Sequence, residues 1–272
     1  MNEFRPLGST LFPPVVKNLM IINGILFLAS YVFQQTFGFD LNEYLGLFYF
    51  ESEKFKVWQL VTHLFMHGSF GHILSNMLAL WMFGSVLENF LGSNRFLRYY
   101  FFTGLGAAFL HSLVQYYELH GFVEAAKNYM QHPSLGQLQH FVEQHVTGNN
   151  RVIFDEYITA WQAHPQTNLS QESAQLVNQL FTAKLNTVTV GASGAVFGLL
   201  MAFGYLFPNA LIYVYFAIPI KAKYFVAIYG LFELFSGIQN TDNIAHYAHL
   251  GGMLFGFILF RIWKIKRPQQ FY

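Results

Sequence analysis

Apolar positions along this chain come in long blocks, not in alternation. Six blocks, at residues 18–37, 70–90, 96–117, 190–207, 224–240 and 244–262, hold only scattered polar residues. At 1.5 Å of rise per helical residue each approaches or exceeds the length needed to cross a hydrocarbon core of about 30 Å. The pattern predicts an all-α polytopic membrane protein with six transmembrane helices. A further apolar stretch, 210–220, is short, contains Pro219 and runs into Lys221 and Lys223, so it is expected to form a loop or a partly embedded hairpin. The first block sits where a signal peptide would, but its apolar run is long and no small-x-small cleavage site follows, which predicts a mature helix.

Between the third and fourth blocks the character changes. Residues 118–188 are rich in Gln, Asn, His and Glu, with apolar residues recurring at helical spacing: Leu138, Phe141, Val142 and His145, then Leu176, Val177, Leu180 and Phe181. This predicts a water-exposed insertion of three or four short amphipathic helices, splitting a membrane domain made of 1–117 and 189–272. The insertion's histidines, His120, His132, His140, His145 and His164, include no i,i+4 pair, so they are expected to be solvated and to bind no metal.

Composition narrows the class further. Of the 272 residues 54% are hydrophobic and 11% charged, against about 25% charged in an average soluble domain. Cysteine is absent, which excludes disulfides, cysteine-ligated zinc and a thiol nucleophile. No dense cluster of Lys and Arg suggests nucleic acid, and no cofactor is implied. Ten of the fifteen basic residues (Arg5, Lys17, Arg95, Arg98, Lys221, Lys223, Arg261, Lys264, Lys266 and Arg267) fall on the side that holds both termini. The positive-inside rule therefore predicts a multi-pass protein of the cell (cytoplasmic or inner) membrane, with both termini cytoplasmic and the insertion on the opposite side.

Polar groups inside such spans are expensive and mark function until packing explains them. His63, His67, His72 and Asn76 occur in HLFMHGSFGHILSN, where His72 and Asn76, four apart, share a helix face. The fourth span opens on Gly191-Ala192-Ser193-Gly194-Ala195, whose small residues let another backbone come close. In the sixth, His249 lies on a face made of Ala245, Gly252 and Gly256. Spans 2, 4 and 6 all begin on the non-cytoplasmic side, so His72, Ser193 and His249 fall at a similar depth. A serine beside a histidine at a helix N-terminus, with His and Asn donors near, can serve as nucleophile, general base and oxyanion hole for acyl transfer to water. Each residue alone could equally be helix-packing glue. His246, about 300° from His249 around the helix, is expected to support rather than act as base.

At HGSFGHILSN, ENFLGSNRF, GASGAVFG, FPNALIYVYFAIPIKAK and AHLGGMLFG the sequence resembles the rhomboid intramembrane serine proteases. The resemblance covers all six spans, with the insertion outside it, and implies a rhomboid-like six-helix bundle. It implies Ser193 as nucleophile and His249 as its base in a dyad without an acid, with His72, Asn76 and the Ser193 backbone N–H as oxyanion hole. Phe197 takes the position of the aromatic residue that packs on the catalytic histidine, and Gly191 and Gly194 flank the nucleophile. Where many members have Trp-Arg, this chain has Trp58-Gln59, so the role of that arginine is lost or moved. Glu88 matches a position expected to hydrogen bond between loop and helix. Glu233 matches no role, and structural pairing is expected for it.

The implied activity is cleavage of single-pass membrane proteins in or near their transmembrane segment, after local unwinding of the substrate. Expected partners are such substrates and the lipid bilayer, with the insertion as a candidate binding face for a substrate ectodomain or another protein. Water is expected to arrive through a polar mouth made by His63, His67 and His72. Substrate is expected to enter by span 5 and a mobile cap at 236–243. The competing reading is a catalytically silent rhomboid-like scaffold that binds transmembrane helices, although silent relatives usually lack the Ser or the His, and both are present here. A proton-coupled transporter would need polar residues continuing into the cytoplasmic half of the spans, where few occur.

Overall fold

Helix α1 (Pro14–Phe37) begins on a proline, whose missing N–H costs nothing in a first turn, and stops where Gly38 adopts a φ of 64° and returns its N–H to the Gln34 carbonyl. The other N–H groups of that first turn are met by a distant side chain. Val15 and Val16 donate to the two carboxylate oxygens of Glu88 at 3.0 and 2.8 Å, and the Ser93 hydroxyl donates to the same group at 2.6 Å. Glu88 is 2% exposed, so these bonds replace all of its hydration. Hydrogen bonds to a buried charge are each worth about 1.5–3 kcal/mol. Glu88→Ala is therefore expected to lower unfolding free energy by about 3 kcal/mol or more, read as a lower thermal midpoint in detergent, with Glu88→Gln falling between.

The computed structural model describes residues 10–164, 169–214, 217–239 and 245–268. After α1 come α2 (Leu41–Leu45), α3 (Gln59–Thr62) and a 3-10 turn at His63–Phe65. Helix α4 (Phe70–Ala79), a π-helical turn at Leu80–Gly84 and α5 (Ser85–Leu91) then make one rod of 22 residues. Ser69 caps it, its hydroxyl accepting the His72 N–H at 3.2 Å. Helices α6 (Ser93–Gln131), α7 (Leu135–His145), α8 (Gly148–Ala163), α9 (Ser170–Leu185) and α10 (Ser193–Leu206) follow. A hairpin of β1 (Leu211–Val214) and β2 (Ile218–Lys221) leads to α11 (Ala222–Gln239) and α12 (Ala245–Trp263). Among the described helices, α1 and the α4–α5 rod are long and apolar enough to cross a membrane; α10 is apolar but has 14 residues.

The chain forms two compact units. The larger takes the described parts of Met1–Phe48, Lys54–Val114 and Val188–Tyr272. Its centre is α10, buried at every residue from Gly194 to Ala202. Its outer helices reverse the usual arrangement: Ile21, Ile25, Leu28 and Val32 on α1, and Tyr224, Ile228, Leu231, Phe235 and Ile238 on α11, form exposed apolar stripes at steps of four and three. The polar Asn23 meanwhile faces inward, fully buried.

Helices α10 and α12 touch backbone to backbone. A Cβ on Gly252 would sit on the Gly194 carbonyl oxygen, one on Gly194 would overlap the Ala107 methyl, and one on Gly256 would meet the Tyr99 hydroxyl. That hydroxyl donates to the Gly198 carbonyl at 2.8 Å, tying α6 to α10. The small residues read from the sequence are thus the contact surface itself.

The smaller unit takes Tyr49–Glu53 and Gln115–Thr187, the latter including the C-terminal part of α6. Phe122, Val123, Ala126, Leu138, Phe141, Val142, Phe154, Trp161, Val177 and Leu180 make its core. Among the described residues, three complete helices, α7 to α9, lie in the stretch where three or four were expected. Two features were not foreseen. Helix α6 runs unbroken to Gln131, past the span end placed at 117, because nothing breaks the helix before Pro133. And Tyr49, 1% exposed, joins this core from the first connection, while the Ser52 hydroxyl donates to the Asn186 amide oxygen at 2.6 Å and Lys127 pairs with Glu51 at 3.2 Å.

Three other expectations need correcting or placing. The fourth apolar helix starts at Ser193, not 190, because Thr189 pairs in antiparallel fashion with Leu47 and keeps the preceding residues extended. The stretch 210–220 is a true hairpin, with Ile212 opposite Ile220. Residues 236–239, read as part of a mobile cap, close helix α11, and the cap's remaining residues, 240–243, lie outside the described residues.

Candidate active site

The backbone ahead of α10 is held from several sides. Leu47 and Thr189 exchange two hydrogen bonds of 2.8 Å, the Thr189 hydroxyl meets the His111 ring at 2.9 Å, and the Gly191 N–H donates to the His63 carbonyl at 2.9 Å. Gly191 then turns with a φ of 127°, which side chains rarely allow, and the His72 ring lies where its Cβ would be. Ser193 follows as the first residue of α10, its backbone N–H among those left without an intrahelical partner. The positive end of the helix dipole falls at this residue.

The Ser193 hydroxyl and the His249 ring meet at 2.9 Å, through Nε2. The other ring nitrogen, Nδ1, lies 3.0 Å from the Glu233 carboxylate. A carboxylate only accepts, so the proton of neutral His249 sits on Nδ1, and Nε2 is free to accept from serine. Phe197, one turn after Ser193, stacks on the imidazole with centroids 4.0 Å apart and planes within 6°. His246 donates from its own Nδ1 to the same Glu233 oxygen at 2.6 Å. The resemblance implied a serine–histidine pair without an acid, and structural pairing alone was expected of Glu233; the fold brings this buried carboxylate to the histidine. The available signal was an ionisable residue inside an apolar span, which demands a partner.

His72 and Asn76 come from α4. His72 lies against Gly191, two residues from the nucleophile, and the Asn76 side-chain amide donates to the His72 carbonyl at 3.0 Å, leaving its second N–H uncommitted to that bond. Behind Ser193 is a cavity of about 40 Å³ lined in part by His63, His111, Thr189 and Gly191, with room for a water or two. His63 and His67 are 4% and 2% exposed, so the expected open mouth is absent at these two residues. Their polarity lies inside: His63 borders the cavity and binds the Gln59 carbonyl through Nδ1 at 2.7 Å.

Gln59 itself, 1% exposed, orders the first connection. Its amide oxygen accepts from the Lys56 N–H at 3.0 Å and the Phe48 N–H at 3.5 Å, and its amide nitrogen donates to the carbonyls of Lys54 and Tyr44. A neutral amide serves both kinds of backbone group at once, which a cation does not.

The Rhomboid domain profile matches residues 54–131 and 166–264, taking in both ends of this constellation. The chain belongs to the rhomboid family. It is thereby a member of a family of membrane-embedded proteins that includes serine proteases. It is 25% identical over 242 residues to RHOMBOID-like protein 12, mitochondrial, of Arabidopsis thaliana, covering 88% of this chain and 55% of that protein. To the Rhomboid protease GlpG of Salmonella newport and of Salmonella heidelberg it is 50% identical over 42 residues, 15% of each chain. This rhomboid thus spans about half the length of the Arabidopsis relative and a short part of the bacterial ones.

Proposed function

We propose that this rhomboid is an intramembrane serine endopeptidase that cleaves single-pass membrane proteins in or near their transmembrane segment. The observation that carries the reading is the 2.9 Å contact between the Ser193 hydroxyl and Nε2 of His249. In this reading six helices cross the bilayer: α1, the α4–α5 rod, the first part of α6, α10, α11 and α12. The apolar stripes on α1 and α11 support it, since a surface of exposed Ile, Leu and Phe at helical spacing suits lipid and not water. Both termini face the cytoplasm, the insertion lies opposite, and the reacting serine opens to the insertion's side.

Ser193 attacks a substrate carbonyl while His249 takes the hydroxyl proton on Nε2. His72, Asn76 and the Ser193 backbone N–H stabilise the oxyanion. His249 then returns the proton to the leaving amine, and water drawn from the cavity beside His63 hydrolyses the acyl-enzyme with His249 again as base. A helical substrate hides its carbonyls in its own hydrogen bonds, so segments with small or helix-breaking residues at the cut are the favoured substrates. They enter past α11, and the insertion offers a face for a substrate ectodomain.

The test needs no known substrate. Purified protein is treated with a fluorophosphonate serine probe, and wild type is expected to label where Ser193→Ala does not. Equal labelling of both would assign the signal to another serine, and a folded wild type that stays unlabelled would turn the reading to a scaffold.

A further inference from the structure

Glu233 is the one carboxylate among the described residues that touches the candidate catalytic histidine. It is 3% exposed on α11, a helix that carries neither Ser193 nor His249. Taking a carboxylate out of water is costly, and two imidazole N–H groups converge on one of its oxygens, at 2.6 Å from His246 and 3.0 Å from His249. If Glu233 served only to tie α11 to α12, the shorter bond from His246 would suffice. The second bond has a separate consequence, because it decides which nitrogen of His249 carries the proton. Stacking on Phe197 fixes the plane of the ring but exerts no choice between the two tautomers. Among the described residues, the carboxylate is the group placed to make that choice.

We infer that Glu233 is the positioning residue for the catalytic base, extending the serine–histidine pair to a Ser193–His249–Glu233 triad, and that His246 anchors the carboxylate in place. The inference rests on the hydrolase reading above. As Ser193 gives up its proton, His249 becomes an imidazolium whose Nδ1–H already points at a negative oxygen, so the charge that develops in the step is met by one fixed beforehand. Glu233 keeps its charge throughout, and no proton passes to it. Among the described residues, the titratable groups that face the pair are His246 on α12, Tyr229 one turn away on α11, and His72 on α4.

The same three side chains could be read as metal ligands. Their N···O separations, 2.6 and 3.0 Å, are hydrogen-bond lengths, shorter than the roughly 3.3 Å between ligands of a tetrahedral zinc with bonds near 2.0–2.1 Å.

The experiment separates positioning from packing. With the fluorophosphonate probe, the maximal modification rate and the half-saturating probe concentration are measured for wild type, Glu233→Gln and Glu233→Asp. Glu233→Gln is expected to lower the maximal rate on the order of 100-fold or more, as loss of the acid does in related triads, with half-saturation unchanged and partial recovery in Glu233→Asp. Nitrogen-15 spectra of histidine-labelled wild type are expected to show His249 protonated on Nδ1, a readout available even if the variants do not fold. A maximal rate equal to wild type in Glu233→Gln, or a wild-type His249 protonated on Nε2, would overturn the inference and leave the hydrolase reading standing. Wild type that does not label at all would sink the hydrolase reading first.

Discussion

His249→Ala is expected to slow peptide-bond cleavage by about 10⁶ while leaving the protein folded, and Ser193→Ala added to it should cost nothing more. The magnitude follows from what the histidine does. Without a base at 2.9 Å the serine hydroxyl keeps its proton, and a neutral hydroxyl is a poor nucleophile at neutral pH. Non-additivity follows because the two side chains act in one proton transfer, so removing either removes the step. The measurement is turnover of a fluorescent transmembrane peptide reconstituted with wild type, each single variant and the double. Additive losses would mean that the two residues contribute separately, which a nucleophile–base pair does not allow. The folded state should survive because His249 is partly exposed and α12 is held elsewhere by its glycine face.

Gly252→Val is expected to abolish both probe labelling and cooperative thermal unfolding. Here the loss is of the fold around the site. Added side-chain atoms would meet the Gly194 carbonyl, a backbone group in the first turn of the buried helix α10, so no side chain can swing away to make room. Helices α10 and α12 would have to separate at the residue next to Ser193. Overpacking against yielding side chains costs about 1–3 kcal/mol; against backbone the cost belongs to the tail above about 4 kcal/mol. Gly24→Ala on α1, where nothing lies within 4 Å, is the matched control and should melt and label like wild type. A Gly252→Val protein that unfolds at the wild-type temperature would show that α10 and α12 do not depend on this contact.

What the sequence revealed and what it hid divide along a physical line. Relations along one helix were legible: the shared face of His72 and Asn76, the small-residue face of α12 beneath His249, and the placing of Phe197 one turn after Ser193. Each depends only on helical periodicity. Relations between segments were not. Gly191 hangs from the His63 carbonyl, Thr189 pairs with Leu47, and Tyr49 packs into the insertion's core, all through contacts that no local pattern announces; the bonds from Glu88 to α1 were expected only from the family resemblance. Glu233 lies on this second side of the line. Its place in an apolar span signalled that a partner existed, but which partner depends on how α11 and α12 are rotated against each other. The run of α6 to Gln131 was legible in principle, since the first breaker is Pro133; the change in composition near 118 drew the boundary too early.

The seam between α10 and α12 also fixes the spacing of the reacting pair. It closes at successive turns: Gly194 lies on Gly252, Met201 beside Gly256, and Tyr205 against Phe257 and Phe260. Two rods joined at one point can scissor, whereas two joined along their length move apart only by opening a close-packed surface. Ser193 adjoins Gly194, and His249 lies three residues before Gly252, so both reacting side chains hang from the same end of that seam. A force applied at the far end of either helix therefore reaches the serine and the histidine only by parting it.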